Sequence, residues 1–515
     1  MSALQKTGLV AVIGAGAMGA GIAQVAMLAG HRVLLFDANT VAAEKGRAGI
    51  LTGLDRLVQK GRLSADEREE AAARLDVAPT LATLREASLV IEAIVENLGV
   101  KREVFAALEA VVSEDAILAT NTSSLSVTEI AAHLKHPERV AGFHFFNPAP
   151  VMKLVEVVSG LASAPAVIDT LCETARNWGK EPVRATSTPG FIVNRVARPF
   201  YAEALRLLEE RAADAPTIDA LVREAGGFRM GPFELMDLIG NDVNFAVTKS
   251  VFQAFFNDPR YRPSLTQQDL VAAGWLGRKA GRGFYDYRDG AEKPVPAKLA
   301  AGRAPSVVII SGDLEIAAPL ADLMVQSGIS VRHEEGPGII RVDGATLALS
   351  DGRTATARVK DGAPTDLVVF DLALDYGVTP RIAIAKADQA GDDAVSAAAG
   401  LFQSLGKSVT LVDDTPGLVV LRTVAMLANE AAEAVLLGVA SAEDIDRAMT
   451  LGVNYPLGPL QWADVIGPAR ILAALDALQT AYGDDRYRAS QYLRRRGVAG
   501  GRLVGAPHSR MPILS

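Results

Sequence analysis

The chain has 515 residues, of which 49% are hydrophobic and 22% charged, and its formal net charge is −8. One hydrophobic core does not support a chain of this length, so two to four domains are expected. The acidic balance argues against nucleic acid as the main partner, and the single cysteine excludes an internal disulfide and a thiolate metal cluster. A reducing, cytoplasmic setting without a bound metal fits this composition.

An uncharged stretch, Leu9–Gly30, imitates a membrane helix or a signal peptide. Five glycines and Gln24 within it argue against both interpretations. The run Leu9–Ile13 is short and rich in β-branched residues, and glycines follow it at once, which is typical of a buried strand and a turn. We therefore expect neither a membrane segment nor a membrane partner.

The glycines after this strand have the spacing of a dinucleotide-binding loop, G-x-G-x-x-G, and a helical pattern and a second strand follow them. In such loops the first glycine permits the tight turn, the second lets the pyrophosphate approach the backbone, and the third lets helix and strand pack closely. Asp37 ends the second strand, at the spacing of the carboxylate that binds the adenosine ribose. Because it would repel a 2′-phosphate, we predict NAD rather than NADP, bound by Gly14, Gly16, Met18, Gly19 and Asp37.

Two further apolar runs, Ser88–Ala93 and Ala116–Thr120, read as strands with helical patterns between them. This alternation predicts a doubly wound parallel sheet. The polar segment Asn121–Leu125 closes the second of these strands, at the edge where open α/β sheets bind their ligands.

His144 lies among three phenylalanines, whereas the other five histidines have polar or loop-like neighbours. A core imidazole that bonds to the backbone would explain this position as well. Glu156 lies in the otherwise apolar run Leu154–Val158, and a carboxylate in a buried strand needs a partner. His144 is the nearest candidate, and a His–Glu pair in an apolar pocket is a suitable general base for alcohol oxidation.

Several longer motifs between residues 8 and 287 resemble the 3-hydroxyacyl-CoA dehydrogenase family. The motifs are Asn-Thr-Ser-Ser from Asn121, His-Phe-Phe-Asn-Pro from His144, Lys-Leu-Val-Glu from Lys153, Thr-Pro-Gly-Phe-Ile-Val-Asn-Arg from Thr188, Met-Gly-Pro-Phe-Glu-Leu from Met230 and Gly-Arg-Lys-Ala-Gly-Arg-Gly-Phe-Tyr from Gly277. The resemblance implies a Rossmann-type α/β NAD domain plus an all-α C-terminal domain.

The resemblance also implies roles for individual residues. His144 is expected to remove the 3-hydroxyl proton, and Glu156 to orient it and to stabilise the imidazolium. Ser123 and Asn194 are expected to hold the substrate oxygens, because the developing carbonyl needs aimed donors. Further NAD contacts are implied at Glu96, Lys101, Ser123, Asn147 and Lys279, although solvated surface charges would explain the charged members of this set equally well.

The segment around Asn194 carries a local helix signal. Thr188 is predicted to cap a helix with Pro189 at its first position, which places Asn194 in the early turns of that helix.

Predictions for the remote parts of the substrate rest on basic residues. Arg56 and Lys60, with Arg62 nearby, lie on an amphipathic helix that borders the coenzyme A phosphates in the family, although surface solvation explains them equally well. Arg229 stands where short-chain members of the family have proline, and an arginine there would suit a distal carboxylate of the acyl chain. An ion pair of Arg229 with a neighbouring glutamate, Glu224 or Glu234, is the alternative.

The helical part of the sequence occurs twice, and one constant shift along the chain superimposes the two copies. Thr188-Pro-Gly falls on Thr415-Pro-Gly, and Gly231-Pro falls on Gly458-Pro, without a gap. This shift, which places Thr188 on Thr415, is called the repeat offset below.

We therefore predict the two domains described above, followed by a degenerate second copy, again α/β and then α. The predicted domains are residues 1–187 (NAD-binding Rossmann domain), 188–290 (helical substrate- and dimerisation-type domain), 291–305 (linker), 306–412 (degenerate Rossmann-like domain) and 413–515 (second helical domain).

The second copy lacks the residues of the chemistry. At the repeat offset His144 falls on Asp371, Glu156 falls on Ala383, and a leucine stands in the place of Asn194. The glycine loop is missing as well, so we expect the second half neither to bind NAD in this way nor to act as a base. Its apolar helix is expected to pack against the first helical domain as an intrachain substitute for a partner subunit, and a homo-oligomer remains open.

The sequence thus predicts NAD-dependent oxidation of (S)-3-hydroxyacyl-CoA to 3-oxoacyl-CoA. The long form resembles enzymes that oxidise 3-hydroxyadipyl-CoA in bacterial phenylacetate catabolism, and a 3-hydroxybutyryl-CoA dehydrogenase of fatty-acid or polyester metabolism is the alternative. A non-enzymatic NAD- or acyl-CoA-binding protein would fit the loss of His144 or Glu156, but both are present. A dehydrogenase of free β-hydroxyacids resembles this chain only at the glycine loop.

Overall fold

The computed structural model describes residues 3–505, which form two compact units. Of the described residues, 3–195 and 437–453 form the first unit, and 196–436 and 454–505 form the second. The domain boundaries predicted above stay predictions, and the last ten residues of the predicted second helical domain lie outside the described residues. None of the described helices is long and apolar enough to cross a membrane.

The first unit is built around an eight-stranded sheet. Its strands are β1 (Leu9–Ile13), β2 (Val33–Phe36), β3 (Leu75–Val77), β4 (Ala87–Glu92), β5 (Ile117–Thr120), β6 (Val140–Phe145), β7 (Leu154–Ser159) and β8 (Glu181–Thr186). They are ordered β3-β2-β1-β4-β5-β6-β7-β8, and all neighbours are parallel except β6 and β7. The central strands are apolar runs buried along nearly their whole length, as expected of a parallel sheet that is covered on both faces.

Within residues 3–505, eight α-helices belong to this unit, and the way they begin matters for the site. They are α1 (Ala17–Leu28), α2 (Thr40–Gln59), α3 (Ala65–Ala72), α4 (Leu98–Glu109), α5 (Val127–Ala131), α6 (Pro165–Asn177), α7 (Val193–Val196, at the end of the unit) and α17 (Ala442–Gly452). Asn39 caps α2, Ser64 caps α3 and Asn97 caps α4 through side-chain oxygens. In contrast, α1 begins at Gly16 without a side-chain cap, so its first backbone N–H groups stay available to a ligand.

The predicted helix from Pro189 is wrong. Residues 188–192 form a turn in which Phe191 has a φ of +48°, a left-handed conformation that a helix starting at Pro189 cannot contain. The hydroxyl of Thr188 has no hydrogen-bond partner among the described residues. The helix begins at Val193, and the Glu156 carboxylate caps it by accepting hydrogen bonds from the amides of residues 192 and 193.

The second unit contains two groups of helices and a second sheet. Its helices are α8 (Arg198–Glu209), α9 (Ala215–Glu224), α10 (Pro232–Ile239), α11 (Asn241–Ala254), α12 (Leu265–Ala272), α13 (Pro319–Gln326), α14 (Ala355–Lys360), α15 (Asp392–Ser404), α16 (Val420–Leu436), α18 (Pro459–Ile466), α19 (Pro468–Tyr482) and α20 (Gln491–Ala499). Its strands are β9 (Val307–Ser311), β10 (Ser330–Glu334), β11 (Ile339–Val342), β12 (Ala345–Leu349), β13 (Leu367–Phe370), β14 (Arg381–Lys386) and β15 (Ser408–Leu411).

The second sheet repeats only the later half of the first. Its order is β10-β9-β11-β12-β13-β14-β15, and the repeat offset places the starts of β6, β7 and β8 on the starts of β13, β14 and β15. Antiparallel pairings of β11 with β9 and β12 replace the parallel front half of the first sheet. The predicted second α/β region is therefore present in a reduced form.

The apolar helix of the second half packs against the first helical group, as expected. It is α16, which packs along α8 of the first helical group, and its buried Arg422 pairs with buried Glu203 at 2.8 Å.

Candidate active site

The antiparallel pairing of β6 with β7 places His144 directly opposite Glu156. The Nδ1 atom of His144 lies 2.6 Å from Oε2 of Glu156, and both side chains are buried. The other carboxylate oxygen, Oε1, accepts hydrogen bonds from the amides of residues 192 and 193 at 3.1 and 3.0 Å. These hydrogen bonds hold the Glu156 carboxylate in place, and the carboxylate in turn fixes the orientation of the His144 ring.

This contact decides which nitrogen of His144 is available for chemistry. A carboxylate accepts only, so Nδ1 carries the hydrogen and Nε2 keeps its lone pair. Within the described chain, no residue forms a hydrogen bond with Nε2. The centre of the His144 ring lies 4.5 Å from the ring centre of Phe146 and 6.0 Å from that of Phe191. The interpretation of His144 as a core imidazole bonded to the backbone is therefore wrong, since its partner is a carboxylate.

Ser123 and Asn194 come together at the loop that follows β5. The Nδ2 amide of Asn194 donates to the backbone oxygen of Ser123 at 3.3 Å. The backbone N–H of Ser123 donates in turn to the carboxylate of Glu96 at 3.0 Å. The segment after β5 and the start of α7 are thus tied to each other within the first unit.

Glu96 organises this loop. Its Oε1 accepts from the hydroxyls of Thr122 and Ser124 at 2.6 and 2.9 Å, and its Oε2 lies 3.3 Å from Nζ of Lys101. Burial opposes ionisation, but these hydrogen bonds and the nearby ammonium outweigh burial and lower the pKa of Glu96. The carboxylate therefore carries its charge at neutral pH at the carboxyl edge of the sheet.

Glu92 is a site residue that the sequence analysis missed. It is fully buried at the end of β4, where its carboxylate receives Lys101 at 2.6 Å and the hydroxyl of Thr120 at 2.7 Å. Lys101 is therefore a buried ion-paired residue and not a solvated surface charge. A glutamate in an apolar strand was the signal that singled out Glu156, and the same signal would have found Glu92.

The glycine loop shows which of its glycines the fold needs. A Cβ on Gly14 would lie 2.5 Å from the backbone oxygen of Ala93, and one on Gly19 would lie 1.8 Å from that of Gly14. A Cβ on Gly16 would meet nothing within 4 Å, and its φ of −66° is open to any residue. Gly16 is thus dispensable for packing, which is what a close approach by a ligand to the backbone at this point explains.

Asp37 lies over the same loop. Its carboxylate accepts hydrogen bonds from the amides of Ala15 and Asn39, both at 2.9 Å. A cavity of about 560 Å³ opens beside it. The lining residues are Ile13, Gly14, Gly16, Phe36, Asp37, Ala38, Ala93, Ile94, Val95, Val100 and Val104. An apolar slot next to an uncapped helix start and a carboxylate fits the ring, pyrophosphate and ribose of a dinucleotide.

The remaining residues predicted to contact NAD or the substrate do not line this cavity. In the first unit Met18 is half-buried, whereas Asn147, Arg56 and Lys60 are exposed. In the second unit Lys279 pairs with Asp242 at 2.6 Å. Arg229, also in the second unit, is exposed and has no ion pair or hydrogen bond within residues 3–505. The predicted alternative for Arg229 is wrong, because Glu234 pairs with Arg223 and Glu224 pairs with Arg381.

Comparison with protein families gives matches along most of the chain. The NAD-binding domain of 3-hydroxyacyl-CoA dehydrogenase matches residues 9–188, and its C-terminal domain matches twice, at residues 190–287 and 417–506. The chain belongs to the 3-hydroxyacyl-CoA dehydrogenase family. The reduced Rossmann-fold domain of 3-hydroxybutyryl-CoA dehydrogenase matches residues 347–416, in agreement with the shortened second sheet.

Individual relatives agree with this assignment. The chain is 48% identical to a 3-hydroxyadipyl-CoA dehydrogenase of Escherichia coli, over 95% of this chain and 97% of that protein. A crystal structure of a 3-hydroxybutyryl-CoA dehydrogenase from Escherichia coli K12 matches with a TM-score of 0.88 and 46% identity, over 96% and 99% of the two chains. A probable 3-hydroxybutyryl-CoA dehydrogenase of Bacillus subtilis is 42% identical, and 54% of this chain covers 96% of that protein.

These matches confirm the predicted family, the fold class, the NAD cofactor and the class of enzyme, an NAD-dependent 3-hydroxyacyl-CoA dehydrogenase. They also confirm that the second copy is a duplication within a long form, since the C-terminal domain matches twice and 54% of this chain covers 96% of the relative from Bacillus subtilis.

Proposed function

We propose that the protein oxidises the 3-hydroxyl of (S)-3-hydroxyacyl-CoA to give 3-oxoacyl-CoA, with His144 as the base. The observation that carries this proposal is the buried contact of 2.6 Å between His144 and Glu156. It lies at the carboxyl ends of the parallel strands that also present the glycine loop. Ligands of open α/β sheets bind at that edge.

The proton transfer follows from the geometry of the pair. Nε2 of His144 accepts the proton of the 3-hydroxyl, and the imidazolium that forms is stabilised by the Glu156 carboxylate on Nδ1. The backbone amides on Oε1 keep Glu156 in place during this step. When bound, NAD supplies the hydride acceptor. Ser123 and Asn194 are the proposed donors to the substrate oxygens.

The residues proposed to hold NAD are those of the loop and its surroundings. Gly14, Gly16, Met18 and Gly19 would face the pyrophosphate and Asp37 the adenosine ribose, because the uncapped start of α1 offers N–H groups to an anion. The other proposed contacts are Glu96, Lys101, Ser123, Asn147 and Lys279. Among these, Glu96 and Lys101 are ordered by the contacts described above.

For the acyl group, we propose 3-hydroxyadipyl-CoA as the substrate, within the phenylacetate catabolism suggested by the sequence. Its support is the 48% identical relative of that name, which spans nearly the whole chain. A 3-hydroxybutyryl-CoA substrate of fatty-acid or polyester metabolism is the alternative, since a crystal structure of similar identity carries that name. Arg229 stays a proposed contact for the distal carboxylate, and Arg56 and Lys60 stay proposed contacts for the coenzyme A phosphates.

We also propose that the second half replaces a partner subunit, within the four domains and the linker predicted from the sequence. In the second unit, Glu203 of the first copy receives Arg422 at 2.8 Å and the hydroxyl of Tyr487 at 3.0 Å from the second copy. Glu430 of the second copy receives the hydroxyl of Tyr261 at 2.6 Å from the first. Such a reciprocal exchange is the pattern of a two-fold interface between identical subunits.

The same reciprocity recurs on the two sheets. In the first unit the amide of Thr186, at the end of β8, donates to the backbone oxygen of Val439 at 2.8 Å. In the second unit the amide of Asp413, just after β15, donates to the backbone oxygen of Ala212 at 3.0 Å. These two pairs of residues correspond at the repeat offset. Each copy therefore provides a segment that forms a hydrogen bond at the edge of the other copy's sheet. A cytoplasmic location is proposed as well, in keeping with the single, buried Cys172.

The reaction is tested by following NADH oxidation in the reverse direction with two substrates, acetoacetyl-CoA and free acetoacetate. The proposal expects turnover of the thioester and at least a hundredfold lower kcat/KM for the free acid, because coenzyme A binding energy is lost. Equal rates on both would identify a dehydrogenase of free acids. Binding of NADH without turnover of either substrate would identify a binding protein.

A further inference from the structure

The second unit contains a partly open cavity of about 490 Å³. It lies among α8, α11 and the segment that leads into α12, and this volume is in the range of small-molecule sites. Its lining combines apolar side chains, such as Tyr201, Ala202, Leu205 and Leu265, with polar residues that include Glu209 and Glu210. Four arginines also reach it, namely Arg198, Arg206, Arg262 and Arg486.

Three of these arginines have carboxylate partners. Arg206 pairs with Glu210 at 3.1 Å, Arg486 lies 3.6 Å from Glu203, and Arg262 lies 3.9 Å from Asp484. Their charges are accounted for by contacts within the protein.

Arg198 differs from the other three. It is only 5% exposed, yet within residues 3–505 it has no carboxylate within 4 Å. Nη1 donates to the hydroxyl of Thr248 at 3.1 Å, the guanidinium lies 4.9 Å from the ring centre of Tyr201, and Nε is buried without a partner in the described chain. A buried charge without a counter-charge is costly, so its retention needs a reason.

The internal repeat shows that the equivalent helices of the second copy form without this cation. At the repeat offset, Arg198 falls on Ala425 and Thr248 on Leu475, so the second copy has neither the cation nor its hydroxyl partner. Residues that hold the copies together are kept, as in the correspondence of Glu203 with Glu430. Arg198 is therefore a feature of the first copy alone, which is the copy that carries the catalytic residues.

We propose that Arg198 and this cavity form a binding site for a carboxylate carried on a short aliphatic chain. The guanidinium provides the charge, its unpartnered Nε provides a donor, and the apolar lining receives methylene groups. Two sources share this chemistry: the distal end of a dicarboxylyl-CoA substrate, which rests on the proposed function, and a free dicarboxylate that binds as an effector.

The experiment compares Arg198→Met with Arg198→Lys and with the control Arg341→Met, which removes an exposed arginine that pairs with Glu334 and does not line the cavity. Oxidation of 3-hydroxyadipyl-CoA and of 3-hydroxybutyryl-CoA is measured at saturating NAD, and adipate binding to each intact protein is measured by calorimetry. Arg198→Met should raise the KM for the adipyl thioester by roughly tenfold to a hundredfold. The butyryl kinetics should change less than twofold, Arg198→Lys should recover part of the loss, and the control should match the unsubstituted protein.

The same measurements distinguish the two sources of the carboxylate. A loss confined to the adipyl thioester identifies the distal carboxylate, whereas adipate binding that Arg198→Met abolishes, without selective kinetic loss, identifies a free effector. Equal losses on both thioesters and no adipate binding by the unsubstituted protein would overturn the inference, as would a selective loss in Arg229→Met with none in Arg198→Met. Absence of turnover on both thioesters in the unsubstituted protein would instead contradict the proposed function, while adipate binding would still test Arg198.

Discussion

The two copies within this chain solve the same folding problem with different residues. In the first copy Glu156 on β7 accepts the amides of residues 192 and 193, and it also holds His144 on β6. In the second copy Asp371 occupies the position of the histidine, just after β13, and accepts the amides of residues 419–421. The facing residue on β14 is Ala383.

The comparison separates structural need from chemistry. Buried amides at the start of a helix need an acceptor, so both copies keep one carboxylate at this place. Only the first copy adds an imidazole, which the folding of this region does not require. His144 is therefore explained by its chemistry, and Glu156 serves both the helix and the histidine.

The cofactor end shows the same contrast. In the first copy a Cβ on Gly16 would point into open space. In the second copy a Cβ on Gly312, at the end of β9, would lie 2.0 Å from the backbone oxygen of Gly336. The amide of Gly338 also bonds to Ser311 at 2.7 Å. The turn between β10 and β11 thus covers the strand end that would otherwise face a pyrophosphate.

The second copy retains residues that stabilise its fold. Lys180 and Lys407 correspond at the repeat offset, and each ammonium donates to two backbone oxygens of the loop after the equivalent strand. Both lysines are buried. A feature shared by the copies therefore indicates folding, and a feature of one copy alone indicates function.

The largest expected effect is that of His144→Gln. Loss of the base should lower kcat by about 10²- to 10⁴-fold, while NADH binding is kept because the glycine loop is separate. Steady-state kinetics and fluorescence titration of NADH check this.

The matched control is Asp371→Ala in the second copy. It leaves several buried amides without an acceptor and should lower the melting temperature, whereas kcat per folded molecule should stay within about twofold. A kcat loss of comparable size in both variants would remove the distinction between the copies.

Next in size is the effect of ending the chain after residue 290. The packing face of α8 would lose α16, and β8 would lose the segment around Val439. We expect a protein that dimerises or aggregates, because the exposed apolar faces need cover. Light scattering coupled to size-exclusion chromatography measures the mass. A stable, well-behaved monomer would contradict the partner role of the second half.

A moderate effect is expected at the ribose position. Asp37→Ser removes the like-charge clash with a 2′-phosphate, so the ratio of kcat/KM for NADP to that for NAD should rise by roughly tenfold or more. The change should also lower the melting temperature somewhat, because the Asp37 carboxylate accepts hydrogen bonds from the amides of Ala15 and Asn39. An unchanged ratio would place the ribose elsewhere.

The smallest effect concerns pH and Asp371. Burial raises the pKa of this carboxyl to about 6, against the opposing effect of its backbone hydrogen bonds. The folded protein therefore holds a proton that the unfolded chain has released, and this contribution to stability is lost as pH rises from about 4 through about 6. The difference in melting temperature between the unsubstituted protein and Asp371→Ala should shrink over that interval. A difference that grows with pH would show that Asp371 is ionised at all these values.

Sequence reasoning succeeded where a pattern has one physical cause. The strand and glycines from Leu9 to Gly19 admit few other structures, and a lone carboxylate in the apolar strand of Glu156 requires a partner. The repeat was readable because a single offset, without a gap, relates equivalent positions from Thr188 and Thr415 onwards.

The sequence did not predict the features that depend on contacts between residues far apart in the chain. Thr188-Pro189 has the signature of a helix start, but a carboxylate distant in sequence provides the cap and moves the start to Val193. The covering turn at Gly336 and the exchange of segments between the copies depend on contacts that no local pattern encodes. Glu92 was within reach, since it shares the signal of Glu156.

The number of NADH molecules bound by the intact chain tests the division of labour between the copies most directly. Isothermal titration calorimetry with the full-length protein should give one NADH per chain, and Gly16→Val, which fills the approach to the loop, should abolish it. A stoichiometry of two, or binding that survives Gly16→Val, would contradict the account.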